Sequence, residues 1–374
     1  MFMDKEKSAI ITLNLNIELT PRKIISLINY FGSAENVLNA SVSDLVRMED
    51  GIPEKIAIST KKIAQSNRLE KELNLANRHG IDIITYKDTD YPEQLSDIPD
   101  FPPVIYIKGK LHKSDKIAVS VVGARRATNY GISVTSNFCK YFAENDICVI
   151  SGLASGIDSQ AHKVTLENNG RTIAVLGNGL LENYPPENRK LQEKIAEEGV
   201  LISEYSLYQR PDKILFPRRN RIIAGLSMAT IVIEAAQKSG SLITAELACE
   251  YGRDVFAVPG PIFSKYSQGP NSLIKNGSFI ALSPQDIIEQ ISNLAVWVKE
   301  RKKQKQLTFK TLNDITDSQS LAILKIINEA QNGLSIDKIS QITKREISDL
   351  AMTLMDLELK GLVKVMPGQV YIKG

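Results

Sequence analysis

Between residues 115 and 290 the chain repeats one unit: a short run that is apolar throughout, a turn containing glycine, and an amphipathic stretch. The runs are KIAVSVVG, DICVISG, RTIAVLG, GVLISEY, ATIVIEA and DVFAVPG. A strand with one face in water alternates apolar and polar residues, whereas strands covered by helices on both faces are apolar at every position, so this pattern predicts a parallel α/β sheet. Residues 1–78 carry no alternation. They read as short helices over Pro21–Phe31, Ser43–Met48 and Pro53–Gln65. Pro21 at the start and Gly32 after the end of the first follow the capping asymmetry of helices, and Ile24, Ile25, Leu27, Ile28 and Phe31 give it a wide apolar face. From residue 80 two β-rich runs, Ile81–Tyr86 and Val104–Ile107, flank a proline cluster at Pro99, Pro102 and Pro103.

The expected fold is α/β: an extended Rossmann-like parallel sheet core over 79–293, with a small N-terminal helical domain over 1–78 (SAM-like or helix-hairpin-helix-like) and a C-terminal winged-helix domain over 318–374. Residues 294–317 contain Arg301, Lys302, Lys303 and Lys305 with no apolar period and read as a basic linker. Three helical stretches (Ser320–Ala330, Ile336–Ile342, Arg345–Lys360) followed by LVKVMPGQVYI, with Pro367-Gly368 as its turn, make the winged-helix plan.

Composition narrows the function classes. Lys and Arg number 46 against 43 Asp and Glu, a formal +3, so any anion-binding surface is local. Three cysteines (Cys139, Cys148, Cys249) without C-x-x-C spacing suit a reducing compartment, and all three are expected as small buried hydrophobes. MFMDKEKSAI has no secretory pattern, and the longest charge-free apolar run, Ile222–Ile233, has 12 residues, too few to cross a bilayer. The expectation is a cytoplasmic protein with no membrane partner.

Ligands of parallel sheets collect at the carboxyl ends of the strands, where helix N-termini present unpaired N–H groups. Four turns there are rich in Gly, Ser and Arg: Gly123-Ala124-Arg125-Arg126, Ser151 to Gly156, Gly177-Asn178-Gly179, and Ser239-Gly240-Ser241 with Thr244. Each alone serves equally as a tight strand-to-helix turn. The dinucleotide fingerprint fails, because Glu182 stands where its third glycine belongs, and no phosphate-loop motif occurs. The discriminating segment is RPDKILFPRRNR. Arg210, Lys213, Arg218, Arg219 and Arg221 there face one acid, Asp212. Guanidinium forks match phosphate, and Phe216 within the cluster, with Tyr184, Tyr205 and Tyr208 nearby, would stack on unpaired bases. Core packing of Phe216 and ion pairing of the arginines with the sheet are the competing readings.

Asp158 and His162 are four apart at a helix start; an Asp capping that start is favoured over an acid/base pair. The three histidines, His79, His112 and His162, are too dispersed for a metal site. Glu204 and Glu234, at strand ends, are expected to anchor the arginines by charge pairing rather than to serve catalysis.

VGARRATNYG, SGLASGIDSQAH, LGNGL with YPPEN, LISEY, FPRRNRIIAGLS, EAAQKSGSLITA, and GRDVFAVPG with GPNSLIKNG resemble, in order, the motifs of the DNA-processing protein A family (DprA, also called Smf). The resemblance implies a non-enzymatic protein without cofactor that binds single-stranded DNA taken up in natural transformation, loads the RecA recombinase onto it, and forms a homodimer through its Rossmann-like domain. It places Arg125 and Arg126 on phosphate, gives Gly123, Ser151, Gly152 and Ser241 small-residue or backbone contacts, makes Lys213 to Arg221 (with Arg218, Arg219 and Asn220) the basic wall, and makes Phe216 the stacking ring. Ser239, Gly240 and Thr244 complete the expected DNA-binding set. Pro186 departs from the family, where Arg or Lys often follows Tyr-Pro. The alternative is a Rossmann-like nucleotide phosphoribohydrolase acting on mononucleotides, which the segment Ser239 to Glu246 matches loosely.

Overall fold

The computed structural model of the 374-residue chain describes residues 4–313, 318–330, 333–359, 362–366 and 368–373. It divides into two compact units, Met1–Trp297 and Val298–Gly374.

The first unit is built on a nine-stranded sheet. Its strands are β1 (Ile81–Thr85), β2 (Val104–Gly109), β3 (Ala118–Val122), β4 (Cys148–Ser151), β5 (Thr172–Val175), β6 (Val200–Ser203), β7 (Ala229–Val232), β8 (Asp254–Ala257) and β9 (Phe279–Ile280), in the order β1-β2-β6-β5-β4-β3-β7-β8-β9. All pairs from β6 to β9 across the sheet are parallel. The six apolar runs are the six strands β3 to β8. β1 and β2 extend this core antiparallel, which the runs alone did not predict. The strand order reverses at β3, whose neighbours are β4 on one side and β7 on the other, and a ligand crevice belongs at such a point.

Burial explains the unbroken apolar runs. Along β5, Ile173 and Val175 join one hydrophobic cluster and Ala174 and Leu176 the other; Ile105 and Ile107 of β2 split from Val104 and Tyr106 in the same way. One cluster holds the helix Leu215–Leu226 through Ile222 and Ile223. The other is completed by the N-terminal helices through Ile10, Ile11, Leu13 and Leu27. The N-terminal region is helical as expected (Lys5–Asn14, Pro21–Phe31, Ala34–Asn39, Val42–Arg47, Glu54–Ala64, Arg68–Arg78), and its helices share a core with the sheet. Thr20 caps Pro21–Phe31 by accepting from the Lys23 N–H, and Gly32 ends it at φ +83°, a left-handed conformation that favours glycine. Polar ties cross the same seam: Asn14 donates to the Glu204 carbonyl at 2.9 Å, and the Leu207 N–H donates to Glu72 at 2.7 Å.

Residues 292–313, which cover most of the expected linker, form one helix, Ser292–Asn313; residues 314–317 lie outside the described residues. The second unit carries the helices Ser318–Glu329, Ile336–Thr343 and Ile347–Leu359 and a three-stranded sheet of Leu334–Ser335, Val363–Met366 and Val370–Lys373. Ile323, Ile327, Ile339, Leu350, Leu354 and Leu357 form its core. This is the winged-helix plan. Gly368 turns the hairpin at φ +89°, and Pro367 lies outside the described residues. Cys139 and Cys148 are buried, but Cys249 is exposed, because it falls on the solvent side of the helix Gly240–Glu250 while its neighbour Ala248 faces the core. No described helix is long and apolar enough to cross a membrane.

Candidate nucleic-acid interface

The turns after β3 and β4 interlock at the reversal of strand order. Gly156 (φ +83°) lies so close to the Ala124 and Arg125 carbonyls that a Cβ there would sit 2.3 Å from the first, and the Ile157 N–H donates to the Ala124 carbonyl at 3.2 Å. Asp158 takes the Gly152 N–H at 3.2 Å and the Ala154 N–H at 3.4 Å, so it clamps the loop ahead of its helix, a variant of the capping role expected of it. Burial raises its carboxyl above the ordinary range against the opposing pull of Arg219. The Ser151 hydroxyl is buried and donates to the Val121 carbonyl at 2.6 Å.

On this floor stands an aromatic and cationic cluster. Phe216, half-buried, packs its edge on Gly177, where a Cβ would meet the ring at 2.6 Å. The Tyr184 ring lies 5.3 Å from it at 32°, and the exposed Arg125 guanidinium sits over it at 5.5 Å. A cation beside two rings is what a single strand requires. Arg126 and Lys213 are exposed nearby in the chain.

The helix Leu215–Leu226 distributes the rest of the basic segment unequally. Arg219 turns inward. It donates to the Gly152 carbonyl at 2.7 Å and to the Val175 carbonyl, and its fork fills the space over Gly152. Burial lowers its guanidinium to about 10, so it remains a cation at neutral pH. Arg221 also turns inward and forms a two-pronged pair with Glu204 at 2.7 and 2.6 Å, both residues being about 95% buried. Only Arg210, Lys213 and Arg218 of the five cations are exposed. The basic wall is therefore narrower than the count suggests: Arg219 and Arg221 are positioning residues that tie this helix to the strand ends. Asn220 is buried and donates to the Gly240 carbonyl at 3.1 Å.

Glu204 anchors an arginine as expected. Glu234 does not: it accepts from the Thr128 N–H at 2.9 Å and the Thr128 hydroxyl at 2.5 Å, fixing the start of the helix Asn129–Glu144, and Gly131 leaves the space its carboxylate fills. Ser239 caps the helix Gly240–Glu250 and shares a 2.7 Å hydrogen bond with Ser241. Ser241 and Thr244 are buried, Gly240 is exposed and Gly123 half-buried. Gly177 and Gly179 are likewise close-packing positions, Gly179 being backed by the Ser206 and Leu207 carbonyls. The seat of Phe216 on Gly177 is what the sequence reading missed; the absence of a side chain at residue 177 was its only trace.

His162 is fully buried. Thr172 gives its hydroxyl proton to the Val149 carbonyl, so the 2.7 Å contact with His162 has Nδ1 as donor. Burial lowers its pKa to about 3. Because the unfolded chain then binds a proton that the folded chain refuses, this residue's contribution is complete above pH 6.5 and is lost as the pH falls toward 3, at a slope approaching 1.4 kcal/mol per pH unit. Asp158, shifted the other way, opposes this in acid. The expected result is that His162→Gln denatures with a shallower pH dependence than the native chain between pH 6.5 and 4.5; parallel curves in urea titrations would refute the assignment. Among the described residues no three His, Cys, Asp or Glu side chains gather as a metal site.

Residues 82–292 match the family model of DNA recombination-mediator protein A, and residues 310–369 that of the DprA winged helix domain. Protein Smf of Escherichia coli is 36% identical over 282 residues, 74% of each chain, and DNA processing protein DprA of Streptococcus pneumoniae is 44% identical over 203 residues, 54% of this chain and 72% of the relative. The X-ray structure of Streptococcus pneumoniae DprA aligns with a TM-score of 0.68 at 36% identity, covering 77% of this chain and 99% of that one. A structure of DNA processing protein A from Helicobacter pylori, described for its single-stranded DNA binding mode, aligns with a TM-score of 0.51 at 29% identity, covering 56% and 94%.

Proposed function

The chain belongs to the DNA recombination-mediator protein A family, and on that premise we propose that it binds single-stranded DNA across the ends of β3, β4 and β5, protects it, and loads the RecA recombinase onto it during natural transformation. The observation that supports this most directly is the Arg125–Phe216–Tyr184 cluster at the reversal of strand order. The single-strand binding of the Helicobacter pylori relative supports it independently. Arg125 and Arg126 neutralise phosphates, Phe216 and Tyr184 stack on bases without reading them, and Lys213 and Arg218 extend the positive track. Nothing in this arrangement needs a bond to be broken; the protein acts as a binder.

The same reading includes a homodimer through the sheet domain. Phe279, Ile280 and Leu282 at the β9 edge, and Ile262 and Phe263 in the loop after β8, are exposed, with Phe263 95% accessible. An edge strand with uncovered apolar side chains invites pairing, and a second copy of the chain is the partner the family premise supplies.

Affinity that comes from phosphate neutralisation depends on counterion release, so log K falls linearly with log salt at about 0.7 per phosphate contact on single strands. In fluorescence anisotropy with labelled oligo-dT, the native chain is expected to prefer the single strand to a matched duplex. Arg125→Ala/Arg126→Ala is expected to reduce the salt slope by about 1.4 across all base compositions. An unchanged slope and affinity in that double variant would move the site elsewhere. Effective competition by a mononucleotide, with base release sensitive to Glu246→Gln, would instead favour the phosphoribohydrolase alternative.

A further inference from the structure

Phe216 and Arg218 are two residues apart on one helix and so point about 200° apart around its axis. Phe216 faces the strand-end cluster. Arg218 faces the opposite flank, where a cavity of about 450 Å³ opens between the N-terminal helices and the sheet domain. That volume is in the range of small-ligand sites. Leu15, Leu19 and Leu247 wall it, Gln209 offers an amide, and Arg22 and Arg218 stand at it. Arg221, Glu204 and Asp100 line it too; Arg221 pairs with Glu204 at 2.6 Å and lies 3.7 Å from the Asp100 carboxylate, so these three add one net negative charge against the two positive charges of Arg22 and Arg218. Arg22 and Arg218, both exposed, have no ion-pair partner among the described residues. The helix Pro21–Phe31 begins at the cavity through Thr20, Pro21 and Arg22, which adds the positive end of its dipole.

Two unpaired guanidinium forks and a helix start above an apolar pocket with an amide describe a receptor for a phosphate joined to a flat, partly apolar body with hydrogen-bonding edges. We propose that this cavity is a second nucleotide subsite, taking a base and its phosphate from the strand after it crosses Pro217 and Arg218 from the Phe216 platform. The proposal rests on the single-strand reading above. It gives the N-terminal helices a direct part in binding: the strand runs over the first turn of the helix Leu215–Leu226 and is held on both flanks, by Phe216 on one and Arg218 on the other.

The test uses the full chain with dT oligomers of 5 and 15 nucleotides, together with photo-crosslinking by dT15 carrying 5-iodouracil and by free 5-iodo-dUMP, the adducts being mapped by mass spectrometry. The expected result is that Arg22→Ala, with its thermal midpoint checked, weakens dT15 at least threefold and leaves dT5 unchanged, while the dT15 probe labels residues 15–22 or 243–247 in the native chain. Labelling of those residues by free 5-iodo-dUMP but not by the oligomer keeps the nucleotide chemistry and overturns the strand path. No labelling by either, with dT15 affinity unaffected by Arg22→Ala, overturns the subsite, including the case in which an acidic peptide is the true occupant. Failure of the parent reading looks different: Arg125→Ala/Arg126→Ala would then leave dT5 binding unchanged.

Discussion

Glu204→Ala is expected to destabilise the first unit by about 3–5 kcal/mol, the range found when one partner of a buried ion pair is removed. The reason is asymmetry. With both partners present, burial works against the Arg221 charge, but the Glu204 carboxylate more than offsets it and holds the guanidinium above its ordinary range. With the carboxylate gone, Arg221 keeps its bonds to the Asp100 carbonyl at 2.8 Å and the Arg218 carbonyl at 3.0 Å, but its nearest counter-charge is the Asp100 carboxylate at 3.7 Å, too little for a charge that is about 95% buried. The double variant Glu204→Leu/Arg221→Met removes both charges and is expected to recover most of the loss. Urea titration of the three proteins, followed by far-UV circular dichroism, measures this. A loss below about 1 kcal/mol for Glu204→Ala would mean that water reaches the pair and that it does not hold the helix Leu215–Leu226 in place.

The second large effect is on binding. Phe216→Ala should weaken oligo-dT binding by about 1–3 kcal/mol, roughly 5- to 150-fold, because one stacking platform is lost and Arg125 loses the ring beneath it. Phe216→Trp should keep most of the affinity, since a larger π-face serves the same purpose. Anisotropy titrations at one fixed salt concentration decide it. A change below twofold in Phe216→Ala would return this ring to its competing role, packing on Gly177, and would leave the cations to carry the strand alone.

The two effects belong to one helix, and this is where reading along the chain and reading in space part company. RPDKILFPRRNR looks like a single basic patch because its five cations are neighbours in sequence. On a helix, neighbours diverge by about 100°. Arg219 is carried toward the Gly152 and Val175 carbonyls, Arg221 toward Glu204, and Arg218 toward the cavity beside Arg22. Glu204 and Glu234 looked equivalent as acids at strand ends, yet one meets a guanidinium and the other Thr128, since β6 lies beyond β5 while β7 lies next to β3.

The amino-acid sequence by itself determined the six parallel strands, the helical start and the winged-helix end, because those depend on local periodicity: apolar runs for covered strands, i to i+4 spacing for helices, glycine and proline for the breaks. It also marked which turns lie at strand ends, because chain direction alone places them there. Only the tertiary structure decided which cations face solvent, that Phe216 stands on Gly177 within reach of Tyr184 and Arg125, and that the N-terminal helices close a cavity against the sheet. Those outcomes depend on strand order and on the azimuth of each side chain about its helix. Long-range packing sets both, and the spacing of residues along the chain does not encode them.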